Sequence, residues 1–153
     1  MSWSRGRPPR LPEVFQGYGS PIYFITFCVQ DRQPALANET VHDAFRGFAT
    51  RGLAEKGIAV GEYVIMPDHV HLFVQLPPEM KLSEWARMLK RAITEVLTKE
   101  TFAWQRGFFD HMLRHGESYA EKWEYVRLNP VRAGLAKTPE EWPFMGQIVP
   151  IRM

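Results

Sequence analysis

The sequence predicts an α+β fold of the ferredoxin-like kind, in which a β-α-β-β-α-β order of elements forms an antiparallel sheet with two helices. Three observations support this prediction. Four short segments rich in β-branched and aromatic residues alternate with two longer segments whose apolar residues recur at helical spacing. A short bend that contains proline joins the two middle strands, as expected for a hairpin. The 153 residues are enough for one domain with a buried core.

The first half of the chain predicts a strand, a helix and a second strand. Residues 22–29 are apolar on both faces, which is typical of a central strand. Asn38 is suited to cap a helix whose first turn contains Glu39, and Gly57 is suited to end it. Residues 58–65 then form the second strand, because they are again rich in apolar and β-branched residues.

The second half predicts the hairpin partner, a second helix and a fourth strand. Residues 69–76 pair with the preceding strand, Ser83 is the expected cap of the next helix, and residues 108–113 form the last strand. An added C-terminal helix over 117–129 ends near Pro130, because the residue before proline disfavours helical geometry. In this topology the first and third strands are central, and one face of the sheet is open.

The third predicted strand begins with the sequence His69-Val70-His71. Side chains alternate along a strand, so both imidazoles project from one face and Val70 from the other. Two imidazoles on a rigid strand can supply two metal ligands. The alternative is that both are surface histidines or hydrogen-bonded structural histidines, which is the commoner case for an isolated His-x-His motif.

The C-terminal helix presents a tyrosine and an amide away from its apolar face. Tyr119, Trp123 and Val126 share the packing face, whereas Tyr125 points about 130° away from the centre of that stripe at roughly 100° per residue. Asn129 lies four residues on and therefore on the same side as Tyr125. The alternative is a half-buried aromatic residue followed by a C-terminal cap.

Three motifs give these residues a specific context. They are Met-Pro-Asp-His-Val-His-Leu at 66–72, Trp-Gln-Arg-Gly-Phe-Phe-Asp-His at 104–111, and Tyr-Val-Arg-Leu-Asn-Pro-Val-Arg-Ala-Gly-Leu at 125–135. In this order and at these separations, the chain resembles the REP-associated tyrosine transposases of the single-tyrosine HUH superfamily. The resemblance runs from about residue 23 to residue 142 and implies a single HUH domain over 1–153 with the ferredoxin-like plan.

The resemblance also implies an activity and a set of site residues. Members cut and rejoin single-stranded DNA at hairpin sequences through a covalent bond between a tyrosine and a 5′ phosphate. Tyr125 then corresponds to the nucleophile, and His69, His71 and Asn129 to the metal ligands. Imidazole ligands alone favour zinc, manganese or cobalt, whereas the resemblance implies Mg²⁺ or Mn²⁺. The general base stays open between Asp110, His111 and a water held by the metal.

Two basic segments are candidate DNA contacts. Residues 1–13 have no hydrophobic period and are predicted to form a flexible basic arm. The second predicted helix has basic residues off its apolar stripe, where DNA phosphates could dock. The candidate residues are Arg5, Arg7 and Arg10 in the arm, and Arg87, Lys90 and Arg91 in the helix.

Composition limits the remaining possibilities. The net charge of +2 is too small to establish a nucleic-acid partner by itself. A single cysteine, Cys28, excludes an internal disulfide, and no apolar run reaches the length of a membrane span. Without an apolar signal segment near Met1, we expect a cytoplasmic protein, monomeric or homodimeric, with no membrane partner. Two other functions remain open: a non-catalytic nucleic-acid-binding module derived from a transposase, and a metal-dependent hydrolase that uses water.

Overall fold

The computed structural model describes residues 20–98, 101–113 and 119–151, and the predicted arm at 1–13 lies outside them. Within these residues, no helix is both long and apolar enough to cross a membrane. The strands and helices, in chain order, are β1 (Ile22–Cys28), α1 (Glu39–Lys56), β2 (Ala59–Ile65), β3 (His69–Gln75), α2 (Leu82–Thr94), β4 (Phe109–Leu113), α3 (Tyr119–Val126), α4 (Asn129–Arg132) and β5 (Met145–Gln147).

The strands form one antiparallel sheet in the order β4-β1-β3-β2-β5. The predicted α+β fold is confirmed, and β1 and β3 each have a strand on both sides, as expected. The fifth strand was not predicted, because β5 has only three residues and no hydrophobic pattern of its own. It forms by pairing Glu62–Val64 of β2 with Met145–Gln147 at the sheet edge.

Helices α1 and α2 cover one face of the sheet. Phe45 of α1 and Trp85 and Leu89 of α2 are completely or almost completely buried, together with Leu72 and Val74 of β3. Burial of such large apolar side chains stabilises a fold by about 1.5–3 kcal/mol each. This layer is the main core. The solvent-exposed side of α2 is therefore separated from the other face of the sheet by the core and the sheet itself.

The opposite face, here called the histidine face, is the side of the sheet from which His69, His71 and Phe73 project. It is not left open, contrary to the prediction. Phe73 stacks on Tyr119 of α3 with ring centroids 4.3 Å apart, and Val126 packs against Val64. The reason is that β3 carries apolar side chains on both faces, so a second layer must bury Phe73.

Both predicted ends of α1 are confirmed, whereas the predicted cap of α2 is not. Asn38 caps α1 by accepting a hydrogen bond from Val41 N at 2.9 Å, and Gly57 ends it in the left-handed conformation at φ 69°. The prediction that Ser83 caps α2 is wrong. Lys81 occupies the cap position, and Ser83 lies inside the first turn.

The C-terminal helix is broken where one continuous helix was expected. Helix α3 ends at Val126, Leu128 adopts a non-helical conformation (φ −85°, ψ 0°), and α4 starts at Asn129. Pro130 therefore begins a helix rather than ending one, since proline is well tolerated in a first turn where its missing N–H costs nothing. Its burial anchors the corner between α3 and α4.

Candidate active site

The two histidines of β3 project together onto the histidine face. Their ring centroids are 4.7 Å apart at an interplanar angle of 77°. His71 stacks on Phe24 of the neighbouring strand, with centroids 5.4 Å apart. The strand alternation predicted from sequence thus brings both imidazoles to one place on a rigid, central strand.

Each imidazole is held through its Nδ1 atom. Asp68 Oδ1 lies 2.7 Å from His69 Nδ1, and because a carboxylate only accepts, that nitrogen carries the proton. Thr26 Oγ1 lies 2.7 Å from His71 Nδ1. Outer partners of this kind orient metal-binding histidines and direct the other ring nitrogen, Nε2, away from the strand.

The environment keeps both imidazoles neutral at physiological pH. Burial, with smaller contributions from the neighbouring His69, Arg132, Lys122 and Arg32, lowers the pKa of His71 to about 3. Burial also lowers the pKa of His69, although the bond to Asp68 opposes this. A neutral imidazole has a lone pair, which is what metal ligation requires.

Asp68 is itself anchored by a strained turn. Arg32 Nε donates to Asp68 Oδ2 at 2.8 Å, and Asp31 and Arg32 both adopt left-handed conformations, at φ 58° and 54°. Such conformations cost roughly 1–2 kcal/mol per residue outside glycine. Burial alone would raise the pKa of Asp68, but the bonds from Arg32 and His69 hold it below its ordinary value.

Tyr125 lies on the exposed side of α3, as the helical spacing predicts. Its side chain is 67% exposed, whereas Val126 is buried. The guanidinium of Arg132 lies over the phenol ring, with Cζ 4.1 Å from the centroid, and its Nη2 donates to Tyr125 O at 2.8 Å. A cation therefore stands beside the exposed phenol.

Asn129 caps the preceding helix, in agreement with the alternative interpretation of its position. Its Nδ2 donates to Val126 O at 3.0 Å, which satisfies a terminal carbonyl of α3. This bond uses the amide nitrogen, so the oxygen, the only atom of the group able to ligate a metal, stays available. The capping role and a ligand role are compatible.

The described residues around the corner between α3 and α4 affect the histidines electrostatically and make no hydrogen bond or ring contact with them. Among the described residues, neither Tyr125 nor Asn129 has a hydrogen bond or ring contact to His69 or His71. Arg132 and Lys122 are nevertheless close enough to lower the pKa of His71. Lys122 Nζ also lies 4.9 Å from the ring centre of Phe24, the residue that stacks on His71.

By chemical type, these donors suit a divalent ion. Two neutral imidazoles and one amide oxygen, if bound to a single ion, would leave coordination positions for phosphate oxygens and water, as a catalytic metal site requires. In the part of the chain that the structure describes, no group of three or more His, Cys, Asp or Glu side chains offers an alternative site.

The basic residues predicted on α2 lie on the other side of the molecule. Lys90 Nζ donates to Gln105 O at 3.2 Å and to Gly107 O, so it ties down the segment before β4. Burial lowers its pKa. Arg87 and Arg91 are exposed, and Arg91 pairs with Glu95 at 3.5 Å. None of the three residues reaches the histidine face.

Strand register separates the two candidate bases. Asp110 pairs with Ile25, whose side chain lies in the main core, so Asp110 projects toward the helices α1 and α2. His111 pairs with Phe24, which lies on the histidine face. The register therefore favours His111 over Asp110 as a residue on the side where the chemistry is predicted.

Four residues near the histidines were missed by sequence reasoning: Thr26, Arg32, Lys122 and Arg132. Arg32 belongs to a segment that indicated only the end of a strand, and its partner Asp68 is 36 positions away. Arg132 was part of the third motif without a role. No local signal identified its role, because the helix is broken between Tyr125 and Arg132 and the helical repeat does not relate the two positions.

Comparisons with known proteins give the site a family context. The model of a family described as "Transposase IS200 like" matches residues 19–127. The chain is 27% identical over 137 residues to a "Putative REP-associated tyrosine transposase" of Haemophilus influenzae, covering 80% of this chain and 77% of that protein. It is 26% identical over 124 residues to the "REP-associated tyrosine transposase" of Escherichia coli, covering 80% of this chain and 73% of that protein.

A solved structure shares the fold. It is described as a REP-associated tyrosine transposase bound to a REP hairpin, and it superposes with a TM-score of 0.69 at 23% identity. The match covers 95% of this chain and 82% of that one. At this level of identity the match supports the α+β architecture described above.

Proposed function

This chain belongs to the IS200-like transposase family, and from that premise we propose that it cleaves and rejoins single-stranded DNA with Tyr125 as the nucleophile. One observation carries the proposal. An exposed phenol stands beside a guanidinium, on a helix that packs against the same face of the sheet from which the two imidazoles project. Nucleophile, cation and candidate metal ligands therefore occur on one side of the sheet.

The proposed step is an in-line displacement at phosphorus. Tyr125 Oη forms a bond to the phosphorus of the scissile phosphodiester while the bond from phosphorus to the 3′ oxygen breaks. The phenolic proton passes to a base, and the departing 3′ oxygen takes up a proton to become a hydroxyl. The phosphotyrosine retains the ester bond energy, so attack by a 3′ hydroxyl can rejoin the strand.

His69, His71 and the amide oxygen of Asn129 are the residues proposed to hold a divalent ion. A bound Mg²⁺ or Mn²⁺ would neutralise charge on the phosphate oxygens. Asp68 and Thr26 hold the two rings by their Nδ1 atoms, so that little ordering is needed on binding. The low pKa values of His69 and His71 keep both imidazoles ready to ligate without losing a proton.

The proposed substrate is a DNA strand with a hairpin. The names of the relatives and of the solved structure support REP-type hairpins as the class recognised. Arg87 and Arg91 are proposed as backbone contacts remote from the reaction, whereas Lys90 already donates to two carbonyl groups. Arg5, Arg7 and Arg10 fall outside the described residues, and their contact with DNA stays a prediction.

A denaturing gel tests the proposal. The substrates are synthetic strands that carry a hairpin flanked by unpaired bases, with a scrambled strand of equal length as control, in Mn²⁺ or in chelator. A label at the 3′ end should stay with the protein, because the 5′ phosphate of the downstream fragment is the linked group. A label at the 5′ end should leave on a short free strand.

The denaturing gel, run beside a native gel of the same mixtures, separates the two alternatives. A non-catalytic binding module would shift the hairpin on a native gel and leave both labels on full-length DNA. A hydrolase that uses water would shorten the DNA without a protein adduct. Either result with the wild-type chain contradicts the proposal.

A further inference from the structure

The exposure of Tyr125 raises a problem for its proposed role. A side chain that is 67% exposed can sample several rotamers. An attacking atom must lie about 3–3.5 Å from its target in a narrow range of directions, and misplacement by 1 Å can cost roughly 100-fold in rate. A neighbouring group therefore has to hold the phenolic oxygen in line with the phosphorus of the scissile phosphate.

Arg132 makes the contacts that can hold the phenol. Its guanidinium covers one face of the Tyr125 ring at 4.1 Å, and Nη2 is bound to the carbonyl oxygen of the same residue at 2.8 Å. The two contacts attach one planar group to both the ring and the backbone of Tyr125. Rotation of the ring away from this position breaks the stacking contact.

Arg132 is itself placed by the corner between α3 and α4. Its backbone N–H donates to Leu128 O at 2.9 Å, and Ala133 N donates to Asn129 O at 2.9 Å. The buried Pro130 fastens the corner to the rest of the fold, and the bond from Asn129 to Val126 O joins α4 to the end of α3. Tyr125, Asn129 and Arg132 are therefore carried by one short rigid unit.

The remaining donors of Arg132 are available for an anion. Within the described residues, Nη2 is its one hydrogen-bonding atom in use, which leaves Nη1 and Nε of the fork. Arg127 differs, because its donors are paired with Glu124 at 3.0 Å and Glu140 at 3.3 Å. Helix α3, which carries Tyr125, packs on the histidine face through Trp123 and Val126.

We propose that Arg132 is the positioning residue of the reaction: it holds the Tyr125 ring by its face and binds a non-bridging oxygen of the scissile phosphate with its remaining N–H groups. This inference rests on the proposed function, since it takes Tyr125 as the nucleophile. In this inference the side chain of Arg132 aligns the attacking oxygen of Tyr125 with the phosphorus.

Kinetics of Arg132→Met and Arg132→Lys test the proposal, with Arg127→Met as the matched control. Single-turnover cleavage by Arg132→Met should fall about 100- to 1,000-fold, as for loss of one oriented donor. DNA affinity should fall less than about tenfold, because one phosphate contact is lost. Arg132→Lys should recover the affinity but not the rate, since an ammonium lacks the planar fork. Arg127→Met should cleave within about threefold of wild type.

A spectroscopic readout without DNA or metal isolates the contact itself. The chain has five tyrosines, and in protein labelled with 3-fluorotyrosine the ¹⁹F signal of Tyr125 is identified by its loss in Tyr125→Phe. Arg132→Met should shift and sharpen this signal, while Arg127→Met leaves it in place. Thermal unfolding of each variant checks that the fold is retained.

The possible outcomes distinguish this inference from the function on which it rests. An unchanged Tyr125 signal in Arg132→Met, or cleavage within threefold of wild type, overturns the role of Arg132. Full recovery of the rate by lysine also overturns it, because charge alone would then suffice. Undiminished adduct formation by Tyr125→Phe would overturn the proposed function, whatever the ¹⁹F signals show about the contact.

Discussion

Helix α3 carries two tyrosines whose surroundings are opposite. Tyr119 stacks on Phe73, and its hydroxyl donates to Glu62 Oε1 and accepts from Glu62 N at 3.2 Å. Tyr125 is 67% exposed, and its contacts are with Arg132. Six residues of helix turn through about 600°, which leaves the two side chains roughly 120° apart. Position on the helix face thus decides which phenol packs and which can meet a substrate.

The difference extends to chemistry. Burial raises the pKa of Tyr119, and the bond to the Glu62 carboxylate raises it further, so the phenolate needed for attack is strongly disfavoured. Close packing also excludes a substrate: a Cβ added at Gly61 would clash with the Tyr119 hydroxyl. Two phenols on one helix therefore have separate roles, one in stability and one proposed for catalysis.

The largest expected effect on cleavage comes from removing the hydroxyl of Tyr125, and removal of the Tyr119 hydroxyl is the matched control. Tyr125→Phe should lower cleavage by at least about 10⁴-fold, since it removes the attacking oxygen. Its free energy of unfolding should change by less than about 0.5 kcal/mol, because the side chain is exposed. Tyr119→Phe should form the adduct like the wild type. An adduct on Tyr119 in the Tyr125→Phe protein would contradict the assignment of a packing role to Tyr119 and of the nucleophile to Tyr125.

Removing the imidazoles tests whether an exposed phenol is enough without a metal. The double variant His69→Ala, His71→Ala should lose Mn²⁺ binding by calorimetry and lose metal-dependent cleavage. It should also lose stability by about 1–3 kcal/mol, because Thr26 loses its partner and Phe24 its stacked ring. Wild-type cleavage that persists in chelator would show that the metal site is wrongly assigned.

A smaller effect is expected from the group that orients His69. Asp68→Asn keeps the shape and an acceptor for His69 Nδ1 but removes the ion pair with Arg32. Metal affinity should fall about 10- to 100-fold, as is typical for outer partners of metal-binding histidines. Electron paramagnetic resonance of Mn²⁺ measures the affinity directly. Arg91→Gln, which removes a surface pair on α2, is the control and should bind Mn²⁺ like the wild type.

The packing role of Tyr119 can be measured by a double-mutant cycle with Gly61. Gly61→Ala should destabilise the wild type by about 1–3 kcal/mol, because the added methyl meets the tyrosine hydroxyl. Tyr119→Phe should cost about 1–2 kcal/mol through its lost hydrogen bonds. The combined variant should be more stable than the sum of the two costs predicts, since the phenylalanine makes room. Strict additivity in urea unfolding would show that the two groups do not meet.

The smallest expected effect is a difference in alkaline stability. The pKa of Tyr119 is raised in the folded state, so its contribution to stability is complete below the unfolded pKa near 10 and is lost as pH rises above it. The stability difference between wild type and Tyr119→Phe should therefore shrink between about pH 10 and pH 11. Urea unfolding of both proteins over this range measures it, and parallel curves would contradict the shift.

Several features of the molecule follow from the sequence alone, and each depends on residues close together in the chain. The α1 ends were predictable because a cap and a left-handed glycine act within one turn. The β2–β3 hairpin was predictable from two apolar runs around a short bend. The shared face of His69 and His71 follows from strand alternation, and the separation of Tyr119 from Tyr125 follows from the helical repeat.

Other features exist only because distant segments meet. The partner of Asp68 is 36 residues away, the strand β5 forms only by pairing with β2, and Lys90 is bound to carbonyls of a later loop. Spacing cannot identify such partners, because it specifies a side chain's direction on its own element and not what lies opposite. The same reason explains Arg132: the break at Leu128 turns α4 so that its guanidinium lies over the Tyr125 ring, and that geometry is set by the burial of Pro130 in the tertiary fold.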